Sequence, residues 1–371
     1  MSATRVVVTG ADGFIGKNLT IRLSELKTCE VRPIVAGSTD ADLRACLADA
    51  DVVVHLAGVN RPNDPAQFMV GNRDTVSSLI AAVESTGRRV PIILTSSTRA
   101  TDESAYGLSK KAAEETLLAF ADRTGNPVQI FRLPNVFGKW CRPNYNSAVA
   151  TFCHNIARGL PIIVNDASAS LSLVYIDDVI AAITDLVITR PDGCGYRQVE
   201  PIYQTSVGEV ADLIRRFRAD REDALIETVG VGLVRALYAT YVAAMPAEAF
   251  SYSLISHTDP RGSFSEMLKT RNSGQFSYFT THPGVTRGGH YHHTKTEKFL
   301  VVEGEALFRF RQIITGEVHE IRTSGASPVV VETVPGWTHD ITNVGDNTLI
   351  SLLWANEIFD REHPDTIAEK V

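Results

Sequence analysis

Directly after a short apolar run, Arg5 to Thr9, the chain places glycines at positions 10, 13 and 16 and then reads KNLTIRLSEL, a helix-like segment. A GxxGxxG triplet between a strand and a helix tolerates few folds. One glycine permits a tight turn, a second lets backbone approach a pyrophosphate, and the third lets helix and strand pack closely. The helix N-terminus then faces the phosphates. The same alternation continues through DVVVHLAG, a helical stretch around Asp74 to Glu84, VPIILTSS, KKAAEETLLAFA and VQIFRL. This predicts an α/β domain with a parallel, doubly wound sheet.

Tyr106 and Lys110 stand four apart, on one face of the helix expected there. A nearby ammonium would favour the phenolate and lower the tyrosine pKa, making Tyr106 a usable proton donor to a carbonyl. The preceding LTSSTRATDES ends a strand in hydroxyl residues. Ser97 is the choice for a hydrogen bond to the same carbonyl oxygen, with Ser96 and Thr98 left open. The second strand reads CEVRPIV, where Arg32 suits a 2′-phosphate and Glu30 a free ribose diol. Arg32 falls nearer the expected strand end, which favours NADPH. His55 is expected to be hydrogen-bonded within the fold. The loop GKWCRPNYNSAVATF suits either substrate contact or core covering. Ser206 and Glu209 are spaced as a capping box.

Residue usage then shifts. Only His55 and His154 precede residue 250, whereas His257, His282, His290, His292, His293, His319, His339 and His363 follow it. All five cysteines (Cys29, Cys46, Cys141, Cys153 and Cys194) precede it. A boundary near Pro246 gives domains 1–245 and 246–371. After it, short strands separated by turns predict an all-β antiparallel barrel or jelly roll. In a strand, His290 and His292 point to one face and His293 to the other. With Glu297 and His339 they form a set suited to zinc, iron, manganese or nickel.

The formal net charge is -7 and the pI about 5.8, with no long basic run, so nucleic acid and membrane are not expected partners. No run of 18 apolar residues suggests a spanning helix, and the chain enters its first strand too early for a signal peptide. An odd number of irregularly spaced cysteines fits reduced thiols and a cytoplasmic protein.

TGADGFIG, HLAG, TSS, YGLSK, FRLPNVFG and LVYIDDV, in this order, resemble the extended short-chain dehydrogenase/reductase family over roughly residues 1 to 245. The resemblance implies a Rossmann domain with a smaller lobe for nucleotide sugars. Carried over, Ser97, Tyr106 and Lys110 are catalytic. Gly10, Gly13, Phe14, Ile15, Gly16, Ala57, Gly58 and Lys110 contact the dinucleotide, with Arg32 at its 2′-phosphate, and Asn135 sits beside the substrate. Many members carry Arg at the position of Leu171, a departure that bears on the usual diphosphate clamp. Gly284, His290, His292, Glu297 and Gly304, then Gly336, His339 and Asn343, resemble the cupin superfamily over roughly residues 256 to 371. DPRGSFSE, Asp259 to Glu266, is similar to a segment of deoxysugar 3,5-epimerases acting on 4-keto nucleotide sugars.

The two parts together, with HLAGVNRP, FGKWCRPNYNS, HHTKTEKFLVVEG and NEIFD, resemble the CapF-type bifunctional enzymes of capsular polysaccharide synthesis. That resemblance implies a UDP-linked 2-acetamido-2,6-dideoxy-4-hexulose as substrate. The cupin domain, holding one divalent transition metal with zinc the first choice, would epimerise carbon 3. Tyr291, His293 and Lys298 are candidates for its acid and base. The first domain would reduce the carbon-4 ketone with NADPH, and the protein would be a homodimer. Two other readings stay open: an NADPH-dependent reductase with a structural or dimerising cupin, and an NADPH-sensing binding protein.

Overall fold

A computed structural model describes residues 3–371. The chain divides into two compact units, one formed by residues up to Arg215 with Ala236–Pro246, the other by Arg216–Arg235 with Ala247–Val371.

In the first unit the elements run β1 (Thr4–Thr9), α1 (Phe14–Glu25), β2 (Cys29–Ile34), α2 (Asp40–Leu47), β3 (Val52–His55), α3 (Gln67–Met69), α4 (Thr75–Ser85), β4 (Ile92–Ser97), α5 (Ala105–Thr124) and β5 (Val128–Leu133). They continue with β6 (Asn135–Phe137), α6 (Ala148–Ala157), β7 (Ser170–Tyr175), α7 (Ile176–Thr189), β8 (Cys194–Arg197) and β9 (Tyr203–Ser206). The main sheet is parallel, in the order β2-β1-β3-β4-β5-β8. Its central strands are apolar on both faces: Val6 to Val8 and Val52 to Val54 are wholly buried. Such strands need helices on each side. Leu19 and Leu23 of α1 pack with Val179 and Ile183 of α7 on one face. Val76 and Leu79 of α4 pack with Leu117 and Phe120 of α5 on the other. The strand order turns back between β1 and β3, so the loops after these strands open at the switch point where such sheets bind ligands. This is the predicted Rossmann architecture. A separate three-stranded sheet, β6-β7-β9, carries Asn135 and Leu171.

Helices α8 (Val207–Glu222) and α9 (Gly232–Ala243) contain the points where the chain passes from one unit to the other. The expected capping box forms at the start of α8. Glu209 N–H donates to Ser206 Oγ at 3.2 Å, and Ser206 N–H donates to Glu209 Oε2 at 2.9 Å. The segment between the two helices, expected with the first domain, groups with the second unit. There β10 (Leu225–Ile226) pairs in parallel with β12 (Gly262–Thr270), and Arg271 bonds Asp220 at 2.8 Å.

The second unit is otherwise all β: β11 (Ser256–Asp259), β12 (Gly262–Thr270), β13 (Gly274–Thr281), β14 (Thr286–Tyr291), β15 (Glu297–Glu303), β16 (Glu305–Gln312), β17 (Val318–Ser324), β18 (Val330–Glu332), β19 (Trp337–Asn343), β20 (Leu349–Ala355) and β21 (Ile367–Ala368). One sheet runs β10-β12-β13-β20-β15-β18 with β11 on β12, and the other β17-β16-β19-β14-β21. Strands such as β13 and β16 alternate buried and partly exposed residues, as two facing sheets require. Phe279, Phe299, Phe308 and Ile341 fill the space between them. The fold is a cupin-type barrel. Among the described residues of the chain, no helix is long and apolar enough to cross a membrane.

Candidate active site and metal centre

The glycine turn is built as its spacing requires. Gly10 adopts φ +66°, and a Cβ there would lie 2.7 Å from Ala57 N. A Cβ on Gly16 would lie 2.1 Å from Gly10 O, so α1 can pack against the turn only without a side chain. Gly13 caps α1 and supplies no side-chain acceptor, which leaves the first N–H groups free for an anion. Phe14 and Ile15 open that helix. Across the switch point, Ala57 N–H bonds Thr9 Oγ1 at 3.4 Å, and a Cβ on Gly58 would lie 3.7 Å from Lys110 Nζ. Gly10, Ala57 and Gly58 therefore lie together, with Lys110 close to Gly58.

Ser97 ends β4, and Tyr106 stands in the first turn of α5. Gly107 lets the two meet, since a Cβ there would lie 2.3 Å from Arg99 O and 2.2 Å from Asp102 Oδ1. Ser104 caps the helix by accepting from Gly107 N–H at 3.0 Å. Tyr106 packs edge-on to Phe68 at 5.6 Å, with the Arg99 guanidinium 5.8 Å from its ring centre. The charge relation differs from the sequence expectation. Burial pushes the Tyr106 phenol above its ordinary range, opposed by Ser97 and Arg99. Lys110 instead donates to Thr95 O at 3.1 Å. Burial pulls its ammonium down to about 8, against the pull of Glu114 one turn on. Ser96 is buried with its hydroxyl unpartnered and Thr98 is exposed, which leaves Ser97 as the hydroxyl facing Tyr106.

Arg32 stands apart from this group. It lies opposite Val7, three residues short of Gly10, or about 10 Å back along the strand. Its guanidinium is engaged by Asp49 and by Glu30, the latter at 3.0 Å. Asn135 is exposed on β6, where it donates to Ser172 O at 3.4 Å. His55 is buried; its Nδ1 shares a hydrogen bond with Thr9 Oγ1 at 2.8 Å, while Nε2 has no partner. Sequence reasoning missed Asn72. This buried residue of the π-helical turn Val70–Asp74 donates to Ser109 Oγ at 3.0 Å and bonds both backbone groups of Val59. It ties the loop after β3 to the helix of Tyr106. A lone polar residue in a helical stretch gives no signal of this in the sequence.

In the barrel, His290, His292, Glu297 and His339 converge, with one ligand atom from each lying within 4.8 Å of all the others. A bulge between Gly288 and His290 re-aims β14, and His290 lies opposite His339 of β19. His292 Nε2 lies 3.4 Å from Glu297 Oε2, and His339 Nε2 lies 3.5 Å from the same oxygen without bonding it. Neighbouring donors about 3.4 Å apart match a tetrahedral shell with bonds of about 2.1 Å. Three imidazoles, one carboxylate and an unpartnered buried nitrogen fit a divalent transition metal. Burial pushes Glu297 up, but His292, His339 and Lys295 outweigh it and hold the carboxyl well below its usual range. Burial holds His290 down at about 4, so it stays neutral and able to coordinate.

Of the expected acid–base candidates, Tyr291 and His293 pack edge to face at 5.5 Å. Lys298 is exposed and paired to Glu332 of the adjoining strand. Strand alternation sends it away from Glu297. The lysine that reaches Glu297 is Lys295, in the irregular segment just before β15. Lys295 is buried, with Nζ 3.3 Å from Glu297 Oε1.

The model of the NAD dependent epimerase/dehydratase family matches residues 6–195. The chain belongs to that family. A second family model, the polysaccharide biosynthesis C-terminal domain, matches residues 257–367. A Pseudomonas aeruginosa protein named UDP-2-acetamido-2,6-beta-L-arabino-hexul-4-ose reductase is 54% identical over 364 residues, covering 98% of each chain. The crystal structure of the capsular polysaccharide assembling protein CapF from Staphylococcus aureus is 40% identical. It superposes with a TM-score of 0.92 over 99% of this chain and 100% of its own. A UDP-glucose 4-epimerase from Thermotoga maritima, 19% identical, shares the fold over 64% of this chain and 97% of its own with a TM-score of 0.56. This epimerase/dehydratase chain is therefore CapF-like throughout, and its family is one of nicotinamide-dependent enzymes.

Proposed function

We propose that the chain is a bifunctional nucleotide-sugar enzyme. The cupin domain (246–371) epimerises carbon 3 of a UDP-2-acetamido-2,6-dideoxy-4-hexulose, and the reductase domain (1–245) reduces the carbon-4 ketone. The product is UDP-N-acetyl-6-deoxytalosamine, on the route to UDP-N-acetyl-L-fucosamine. One observation carries this reading: a Ser97–Tyr106–Lys110 group and a His290–His292–Glu297–His339 cluster occur in one chain. The full-length likeness to a protein named as a 4-ketohexose reductase supports the substrate class.

In the reductase domain Tyr106 gives its phenolic proton to the carbon-4 oxygen, and Ser97 donates a hydrogen bond to that oxygen. Lys110, which lies against Gly58, would hold the cofactor. Bound NADPH supplies the hydride. The stretch after β2, Val35 to Thr39, holds no carboxylate to grip a free ribose diol, which supports NADPH over NADH. In the barrel a divalent ion, zinc by choice, would act as a Lewis acid on the ketone and so acidify the neighbouring carbon–hydrogen bond. Tyr291 and His293, whose rings pack on each other, are kept as candidates for removing and returning that proton. We place the enzyme in the cytoplasm as a homodimer, and its unpaired cysteines support a reducing compartment.

Isotope exchange tests the reading. Epimerisation needs no hydride, so in deuterium oxide without NADPH the enzyme washes deuterium into carbon 3 of the 4-keto sugar. Tyr106→Phe still does so, and His290→Ala does not. Exchange no faster than the enzyme-free control would reduce the function to ketone reduction with a structural barrel, a reading favoured by the reductase-only name of the Pseudomonas protein.

A further inference from the structure

The end of the chain returns to the metal cluster. Strand β21 extends the sheet beside β14, with Ala368 opposite His290 and Ile367 opposite Tyr291. Glu369 N–H donates to Gly289 O at 3.0 Å, and Arg311 bonds the Glu369 carboxylate at 2.7 Å. The strand bearing His290 therefore gains its outer partner from Ile367 and Ala368.

Asp365, just before β21, does more specific work. Its carboxylate accepts three consecutive backbone N–H groups: His293 at 2.9 Å, Thr294 at 2.7 Å and Lys295 at 2.8 Å. It also accepts the Thr294 hydroxyl at 3.0 Å. These groups lie in the irregular loop between β14 and β15, which joins His292 to Glu297. The Asp365 backbone carbonyl bonds His292 Nδ1, 73 positions away in sequence. A carbonyl only accepts, so Nδ1 must carry the proton. The lone pair then resides on Nε2, the nitrogen that faces Glu297.

We propose that Asp365 is a positioning residue for the metal centre, resting on the metal reading given above. Its carboxylate gathers the loop between His292 and Glu297, and its carbonyl fixes the His292 tautomer that coordinates. Partners of this kind, one bond removed from the ion, typically change metal affinity about 10- to 100-fold. Three aligned N–H groups held by a carboxylate also make a rigid loop, which reduces the ordering needed when the ion binds.

The test uses the full-length protein and its Asp365→Ala, Asp365→Asn and Glu369→Ala variants. Each is stripped of metal and titrated with zinc against a chromogenic chelator. Each is then loaded with cobalt(II), and its visible spectrum is recorded. Asp365→Ala should bind zinc about 10- to 100-fold more weakly, with a changed cobalt spectrum. Asp365→Asn, which keeps an acceptor oxygen but not the charge, should fall between it and the wild type. Glu369→Ala loosens the tail beyond Asp365 and should leave both readouts within about threefold of wild type. Unchanged zinc affinity and cobalt spectrum in both Asp365 variants would overturn the proposal. A wild-type protein that takes up neither ion would instead overturn the metal reading itself. Should Asp365→Ala fail to fold, Asp365→Asn alone decides, because an affinity equal to wild type refutes the role.

Discussion

His290 and His339 lie directly opposite each other on β14 and β19, with ring centres 4.8 Å apart and planes at 81°. Cross-strand pairing thus builds half of the proposed metal shell from two segments that are far apart in sequence. Removing either ring leaves three donors. We expect one transition-metal ion per wild-type chain and a loss of about 100-fold or more in affinity in His290→Ala and His339→Ala. Elemental analysis of purified protein checks this, and full metal content in both variants would show that other residues hold the ion.

Tyr106→Phe should bind NADPH nearly as well as wild type but reduce the ketone about 100-fold or more slowly, because it keeps the ring and loses the proton. Single-turnover NADPH oxidation, with fluorescence titration of the cofactor, separates the two quantities. A wild-type rate in the variant would move the acid elsewhere.

Gly16→Ala places a methyl group 2.1 Å from Gly10 O, so the turn or α1 must move. Cofactor affinity should fall more than about tenfold, because the backbone can no longer close on the pyrophosphate. The barrel has its own core, so zinc content should be unchanged. NADPH titration and elemental analysis of the same sample give both answers.

Arg32 is held by Asp49 and Glu30, so we expect NADPH preference in the wild type and little dependence on this residue. Arg32→Ala should alter the KM for NADPH by no more than about threefold. A lost charge-assisted contact to a 2′-phosphate would cost more than about tenfold. Parallel kinetics with NADPH and NADH distinguish these outcomes.

His55 is neutral in the folded protein, because burial holds it down at about 3, with Lys110 adding to the effect. An unfolded histidine takes up its proton near pH 6.5. Below that pH the unfolded state gains a proton that the folded state refuses. The stability present above pH 6.5 should therefore be lost as the pH falls, by about 2 kcal/mol at pH 5. Urea unfolding at pH 7 and pH 5 measures this, and His55→Asn, which keeps a partner for Thr9, should flatten the dependence. Equal slopes in the two proteins would exclude His55 as its source.

Short-range spacing determined much of this protein. Glycines three apart after a strand fix a turn, Tyr106 and Lys110 four apart share a helix face, and the two-residue spacing of His290 and His292 suits one strand face, although β14 ends at Tyr291 and leaves His292 just beyond it. Each is a property of local backbone periodicity, so each is written in a few consecutive residues, and the Rossmann and cupin architectures follow from them. Strand alternation sends Lys298 away from Glu297, but that Lys295 meets Glu297 is decided by the loop before β15. Only the tertiary structure decided which distant groups these residues meet. Asp49 pairs with Arg32, Thr95 O accepts from Lys110, and Asp365 reaches back to His292. Such partners come from chain-distant segments that become neighbours when strands pair. Charge and hydrogen bonding act through space, and no local period encodes them.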